Sequence, residues 1–278
     1  MKEYTISSQA CRKIVILTDI HLCDKLWNRT PCEERMELLQ KVMNQEYREH
    51  PFDAILCLGD YSLDFWCWET MGSYLNTPSV SNTKNFIDKV LPGLPLRPYL
   101  IPGNHEQYGN EKWQEITGFP RQFSLVYGDY VFLMCDTFGG DLDPTEHSDG
   151  TYTGLDPVFL REVMEKHPNK QLILCIHDLI PEKESREVME LVGGSGRFLC
   201  GFAGHIHQSR TVILPPQWGS LPLVYCGDFS YTLGSEADAL PNWGFQRVDF
   251  SSGFTTSYQP CLQLASCADW RKAHRGQF

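Results

Sequence analysis

The sequence predicts an α/β fold in which two β-sheets form the core and helices lie outside. Three observations predict it. Short apolar runs alternate with amphipathic stretches over the first two thirds of the chain, strand pairs follow in the last third, and no linker, repeat or low-complexity tract separates the two regions. At 278 residues the chain reads as one domain, 1–278, a size that α/β architectures often reach as a single unit. A hydrophobic fraction of 42% supplies a large core, and 21% charge with many aromatics argues against disorder.

Residues 14–18 are apolar and mostly β-branched, which predicts a buried strand. Pro31 with Glu33 and Glu34 opens a helix reaching about His50. Met36, Leu39, Val42 or Met43, and Tyr47 recur at helical spacing along it, and acidic residues fill its first turn. Residues 54–58 predict a second buried strand. The stretch 61–78, with Tyr61, Phe65, Trp66, Trp68 and Tyr74, breaks the strand–helix rhythm. It reads as a loop or short helix near a site mouth, or as an ordinary aromatic core cluster.

Residues 84–91 look helical, and Pro92, Pro95 and Pro98 punctuate the approach to a short strand at 98–101. Residues 123–127 and 130–135 flank Gly128-Asp129 and predict a hairpin. A polar loop spans 137–154. Helices are expected over 156–167 and 184–192, and strands over 171–176 and 197–204. The part from about 221 to 260 is β-rich.

A net charge of −11 repels a phosphate backbone, so broad nucleic-acid binding is not expected. Bound cations can reverse the field locally, so the charge does not exclude an anionic small substrate. Eleven cysteines stand at irregular spacings without a CxxC pair, and Cys57, Cys135, Cys175 and Cys226 sit inside apolar runs. Buried, reduced thiols are the simplest reading. No apolar run reaches the roughly 18 residues of a membrane span, and no secretory apolar region precedes the first strand. The expectation is a cytoplasmic protein with no membrane partner.

Five short polar groups each follow an apolar run directly. They are Thr18-Asp19-Ile20-His21, Gly59-Asp60, Gly103-Asn104-His105-Glu106, His177-Asp178 and Gly204-His205-Ile206-His207. In a layered α/β fold, strand ends on one edge converge on a shared crevice. Asp19 and His21 are two apart, as are His205 and His207; in an extended segment each pair points to one side. Carboxylate and imidazole together suit Mn²⁺, Fe or Zn²⁺ better than Ca²⁺ or Mg²⁺. A carboxylate such as Asp60 could bridge two cations. Gly59 and Gly204 fit places where the backbone turns sharply or passes close to the site. Each fragment alone is weak: Asp-x-His occurs by chance, a Gly-Asp pair usually marks a turn, and a strand-end His177 is more often structural. Gly-Asn-His-Glu is more specific, and all five in this order leave little room for coincidence.

This order resembles the calcineurin-like metallophosphoesterase superfamily, in particular its small phosphodiesterase branch, over residues 14 to 208. The resemblance implies a four-layer α/β/β/α sandwich with two mixed sheets and a dinuclear centre at the strand ends. It implies that Asp19, His21 and His207 hold one metal, that Asn104, His177 and His205 hold the other, and that Asp60 bridges them. His105 would be the general acid or transition-state stabiliser, and Glu106 would hydrogen-bond and orient it. Many members of the branch have Asp where this chain has Glu106. Asp24, Asp64 and Asp178 are read as supporting or solvated groups.

The implied reaction is hydrolysis of a phosphoester by direct attack of a metal-bridging hydroxide, with no covalent enzyme intermediate. A small phosphodiester is the first substrate expected, with cyclic nucleotides one candidate. A phosphomonoester of a nucleotide, sugar or protein is the alternative. A nuclease fits the acidic charge poorly, and a non-catalytic scaffold fits poorly with every motif position filled. Specificity is expected from 61–83, 107–122, 137–154 and 208–222, whose Trp66, Trp113 and Trp218 could stack on a base or pack in the core.

Overall fold

Apolar, β-branched runs pair into two mixed β-sheets. The computed structural model describes residues 1–23, 26–27, 30–64, 67–68, 73–74, 81–140, 150–230 and 242–273. The larger sheet has seven strands in the order β1 (Glu3–Thr5), β5 (Phe123–Tyr127), β6 (Tyr130–Met134), β7 (Gln171–Cys175), β8 (Phe198–Ala203), β10 (Pro222–Cys226) and β9 (Ser209–Ile213). The smaller has five, in the order β12 (Thr255–Pro260), β11 (Gly244–Asp249), β2 (Lys13–Leu17), β3 (Ala54–Cys57) and β4 (Tyr99–Leu100). Strands β6, β7, β8 and β10 run parallel, as do β2, β3 and β4. The predicted hairpin of β5 and β6 is antiparallel, and so are β11 with β12 and β11 with β2.

The period of two sorts side chains between layers. Along β6, Phe132 and Met134 enter the core shared with the smaller sheet, while Val131 and Leu133 face the other way. Along β7, Ile173 and Cys175 divide from Leu172 and Leu174 in the same manner. The outer face of the large sheet is covered by α4 (Pro157–Lys166) and α5 (Arg186–Gly194) through Phe159, Leu160, Val163, Val188 and Val192. On the opposite side, α1 (Cys32–Glu49) buries Met36, Leu39, Val42 and Met43. The result is the α/β/β/α sandwich.

Local chemistry sets the helix boundaries. The Asp156 side chain accepts from Val158 N ahead of α4, and the Ser185 side chain accepts from Val188 N ahead of α5. The helix expected at 84–91 begins earlier, as α2 (Asn82–Asn85) running into a π-helical turn, Phe86–Val90. Asp64 accepts from the amides of Asn82 and Thr83, so this carboxylate supports a helix start. Of the stretch 61–78, only 61–64 and two short strands are described. Cys67–Trp68 pairs antiparallel with Ser73–Tyr74, which is not a helix. Tyr61 is fully buried and stacks on Phe86, so for this ring the core reading is correct.

Two expected specificity loops contain regular structure instead. Helix α3 (Asn110–Thr117) lies within 107–122, and β9 lies within 208–222. Trp113 and Trp218 are fully or almost fully buried, so of the two readings left open for them the core one is correct. Trp66 lies outside the described residues, as does Asp24. Strand β1 and helix α6 (Ala265–Ala273) were not expected: one is three residues long, and the other carries too few apolar positions to signal a helix. Among the described residues, ten cysteines form no disulfide and nine of these are buried. No described helix is long and apolar enough to cross a membrane.

A buried ion pair fastens α1 to the smaller sheet. Both oxygens of Glu46 accept from Arg247, each at 2.6 Å, and the Glu46 side chain is 2% exposed. Glu46→Ala is expected to lower unfolding free energy by about 2 kcal/mol, below the 3–5 kcal/mol of a fully enclosed pair because Arg247 retains some solvent. Urea denaturation checks this value.

Candidate metal centre

Each polar motif caps the carboxyl end of a parallel strand. β2 delivers Asp19 and His21, β3 delivers Asp60, and β4 leads to Asn104 and His105. From the other sheet, β7 delivers His177 and β8 delivers His205 and His207. The site therefore straddles the seam where the two sheets end on the same side. Main-chain bonds sew the ends together: Asp19 N donates to Gly59 O at 3.2 Å, and Gly204 N donates to His177 O at 2.9 Å. The amide of His205 donates to Asp19 Oδ2 at 3.0 Å and so links one sheet to the other.

The backbone at these ends is not extended, which corrects the reason given for the Asp-x-His and His-x-His spacings. Among the described residues seven non-glycine positions have positive φ, and five of them are Asp19 (53°), His21 (52°), Asp60 (55°), His205 (66°) and His207 (53°). Left-handed backbone is costly for L-residues, and Asp and His tolerate it better than most. Such concentration in one cluster marks a functional turn set. Gly59 and Gly204 serve the close approaches expected of them. A Cβ on Gly59 would lie 2.5 Å from Gly103 N, and one on Gly204 would lie 2.0 Å from Thr18 Oγ1.

All seven expected ligand side chains converge. Ligand atoms of Asp19, His21 and His207 lie within 4.8 Å of one another, as do those of Asp60, His177 and His205. Asp60 Oδ2 stands between the two groups, 3.3 Å from His21 Nε2 and 3.1 Å from His177 Nε2. Asn104 Oδ1 lies 2.9 Å from His177 Nε2 and 3.0 Å from His205 Nδ1. His207 Nε2 is 3.2 Å from Asp19 Oδ1. His105 Nε2 lies 3.8 Å from Asp60 Oδ2, beside the cluster rather than inside either group of three, although His21, Asp60 and His105 also form a ligand-competent set. The cluster opens to solvent at His205 and His207.

These atoms fit a pair of cations. His177 Nδ1 lies 2.7 Å from Leu58 O, so its hydrogen belongs there when the ring is neutral, and the Nε2 lone pair then faces Asp60 and Asn104 oxygens. A ring held this way, with its second nitrogen on a carbonyl, is the usual arrangement of a metal-ligating histidine. Two carboxylates and several lone pairs directed at one small volume call for positive charge.

Without cations, protonated imidazoles supply that charge. Burial opposes ionisation of Asp19, yet His207 and His177 hold its carboxyl down to about 2. Burial also opposes ionisation of Asp60, and His177 and His105 hold it well below the usual carboxylate range. In return, His177 is raised to about 10 against its burial by Asp60, and His207 to about 9 against its burial by Asp19. Burial lowers His21.

Glu106 does not do what the resemblance implied. It is completely buried, and its carboxylate accepts four backbone N–H groups: Asp60 N and Gly103 N at 2.8 Å, Tyr61 N at 2.9 Å and Ser62 N at 3.1 Å. Both oxygens are engaged on the main chain instead of the His105 ring. The longer side chain reaches across to the Gly-Asp turn and pins it to the Gly-Asn-His turn. Burial and the nearby Asp60 push its carboxyl up to about 8, and the amide hydrogens favour the ionised form.

Several supporting residues were not anticipated. Thr18 Oγ1 donates to Asp19 Oδ2 at 2.6 Å. Arg35 is 3% exposed and donates to the carbonyls of Ile20, His21 and Ser230, bracing the Asp19–His21 turn from behind. Its sequence signal was a charge at i−4 from Leu39, on the apolar face of α1. Asp178 is buried, with Oδ2 3.8 Å from His205 Nε2, which fits a supporting role.

Fold and site together define a two-sheet α/β protein with a histidine–aspartate cluster able to hold metals. The chain belongs to the calcineurin-like phosphoesterase family, whose sequence model matches residues 12–209. Among solved structures, a dimetal phosphatase from Danio rerio is similar with a TM-score of 0.61 and 12% identity, over 89% of this chain and 96% of that one. A purple acid phosphatase from yellow lupin is similar with a TM-score of 0.51 and 15% identity, over 90% of this chain and 51% of that one. At these identities the likeness is one of fold. No curated protein matches the sequence.

Two outcomes are expected. Asp60→Asn weakens both metal sites together in a calorimetric titration; loss of one site alone would contradict a shared carboxylate. The second concerns pH. His177 and His207 have folded values above the unfolded 6.5, so their contribution to metal-free stability is complete below about pH 6.5 and is lost as pH rises through about 9 and 10. The chelated protein should therefore lose thermal stability over that window. Metal affinity should rise over the same window, because binding displaces those protons. Calorimetry in buffers of different ionisation enthalpy should detect proton release at pH 7.5; no release would contradict the assignment.

Proposed function

We propose that this protein hydrolyses a small phosphoester with two bound transition-metal ions, Mn, Fe or Zn. The observation that carries the proposal is Asp60 Oδ2 standing between His21 and His177, with His105 alongside. Asp19, His21 and His207 would hold one ion, Asn104, His177 and His205 the other, and Asp60 both. When bound, the ions would supply Lewis-acid charge that activates water and neutralises phosphoryl oxygens.

The chain's own groups do the rest. His105 is 8% exposed, and its amide donates to Asp60 Oδ1 at 3.1 Å, so its position is tied to the bridging carboxylate. A proton on its Nε2 would be given to the departing oxygen. Glu106 fixes the two turns that carry Asp60 and His105, so its part is positional. The fully buried ligands His177 and Asp19 form the floor, and the partly exposed His205 and His207 form the entrance through which substrate and water exchange.

A phosphodiester is the first substrate proposed, on the motif resemblance. A phosphomonoester is the second, since two proteins of the same fold are phosphatases. Bis-p-nitrophenyl phosphate and p-nitrophenyl phosphate with added Mn²⁺ separate these arms, and inactivity on both with no bound metal would favour a scaffold. A cytoplasmic setting is proposed with it, consistent with the reduced, buried cysteines.

His105→Ala is expected to retain both metals by elemental analysis and to lose about 10²–10⁴ in kcat on alkyl phosphoesters. The loss should be smaller on p-nitrophenyl esters, whose leaving group needs little protonation. Loss of metal with normal turnover would overturn this role.

A further inference from the structure

A second reactive group lies directly behind the metal cluster. Cys23, two residues beyond His21, and Cys32, the first residue of α1, place their sulfurs 3.4 Å apart. Both are buried, at 4% and 3% exposure, yet Cys23 lines an open cavity of about 410 Å³ between α1 and α2, together with Leu22, Glu33, Met36 and Asn82. Arg35 Nη2 donates to Cys32 Sγ at 3.0 Å, and the same nitrogen donates to His21 O at 3.2 Å. One guanidinium thus joins the thiol pair to the metal-binding turn.

Cys261 and Cys267 form a second hydrogen-bonded thiol pair, but both are fully buried, and burial and then the neighbouring Cys267 raise the Cys261 thiol. Cys57, Cys135 and Cys175 are enclosed in strands or directly beyond one, and burial raises their thiols. At Cys32, the hydrogen bond from Cys23 comes first and the Arg35 charge adds to it, and against its burial the thiol is lowered to about 5. Thiolate character beside a guanidinium is what makes a cysteine reactive.

We propose that Cys23 and Cys32 are an oxidative modification site, at which hydrogen peroxide entering the cavity closes a reversible disulfide that loosens the metal-binding turn. The thiolate that the two sulfurs share attacks the peroxide at the cavity wall, where Cys23 lies; an S–O bond forms, the O–O bond breaks, and hydroxide leaves and is protonated to water. The second sulfur then attacks the oxidised one; an S–S bond forms, the S–O bond breaks, and hydroxide departs as water with the remaining thiol proton. Two thiols and one peroxide give one disulfide and two waters. The sulfurs must close from 3.4 Å to about 2.05 Å. Closure removes the thiolate that Arg35 holds, and the bracing of Ile20 and His21 carbonyls shifts with it.

Only this consequence rests on the proposed metal function; the linkage itself is tested separately. The metal-loaded protein is treated with hydrogen peroxide, alkylated and digested with trypsin, which cuts at Lys25 and Arg29 between the two cysteines. The expected result is one dominant Cys23–Cys32 linked peptide, abolished by dithiothreitol and by Cys23→Ser, with Cys32→Ser as a second block. Bound metal should fall several-fold on oxidation in the wild type and stay constant in Cys23→Ser. Absence of the linked peptide, or linkages scattered among the other cysteines, would overturn the site. A dominant linkage with unchanged metal content would overturn its coupling to the turn. A wild type inactive on every phosphoester while still forming the linkage would refute the proposed function and leave this site standing.

Discussion

The structure depends on keeping two buried carboxylates, Asp19 and Asp60, ionised around one imidazole, His21, whose Nε2 lies 4.0 Å from the first and 3.3 Å from the second. Negative charge at such depth is unfavourable unless positive charge is brought to it. The histidines answer this requirement in both states of the protein. Protonated, His177 and His207 neutralise the carboxylates; neutral, the same nitrogens turn lone pairs toward cations. Metal binding would then be an exchange of protons for ions within a preformed frame.

That frame is expensive in conformation, and the surrounding chain is arranged to hold it. Five left-handed backbone positions are fastened by contacts that do no chemistry themselves. Glu106 collects four amides from two turns, Arg35 holds carbonyls behind the third, and Thr18 fixes one oxygen of Asp19. The glycines let neighbouring turns pass at distances that a methyl group would block. Because the motifs come from both sheets, the packing of the sheets on each other sets the spacing of the candidate ligands. Stability of the core and geometry of the site are therefore linked.

Much of this was legible in the sequence. Strand-ending apolar runs located most strands to within a residue or two but missed the edge strands β1 and β9 of the larger sheet, and the polar groups behind those runs located the seven converging side chains. Burial is encoded in the apolar runs, and the chemistry sits where they stop. What was not legible depended on rotation and reach. Asp19 and His21 share a side because of left-handed turns, not because of an extended strand. Glu106 is one methylene longer than aspartate, and only the three-dimensional path of the chain shows that this length spans to the Gly59–Asp60 turn. Trp113 and Trp218 could not be sorted between rim and core until α3 and the turn at 216–218 were placed. Arg35 and Glu46 stood on the buried face of α1, a pattern that marks buried charge without naming its partner.

Asp60 is proposed to lie between two cations. Crystals grown with Mn²⁺, measured by anomalous diffraction at the manganese edge, test it directly. Two peaks are expected, one on either side of the Asp60 carboxylate, the first among Asp19, His21 and His207 and the second among Asn104, His177 and His205. A map with no peak near Asp60, or with metal only elsewhere on the protein, would contradict it.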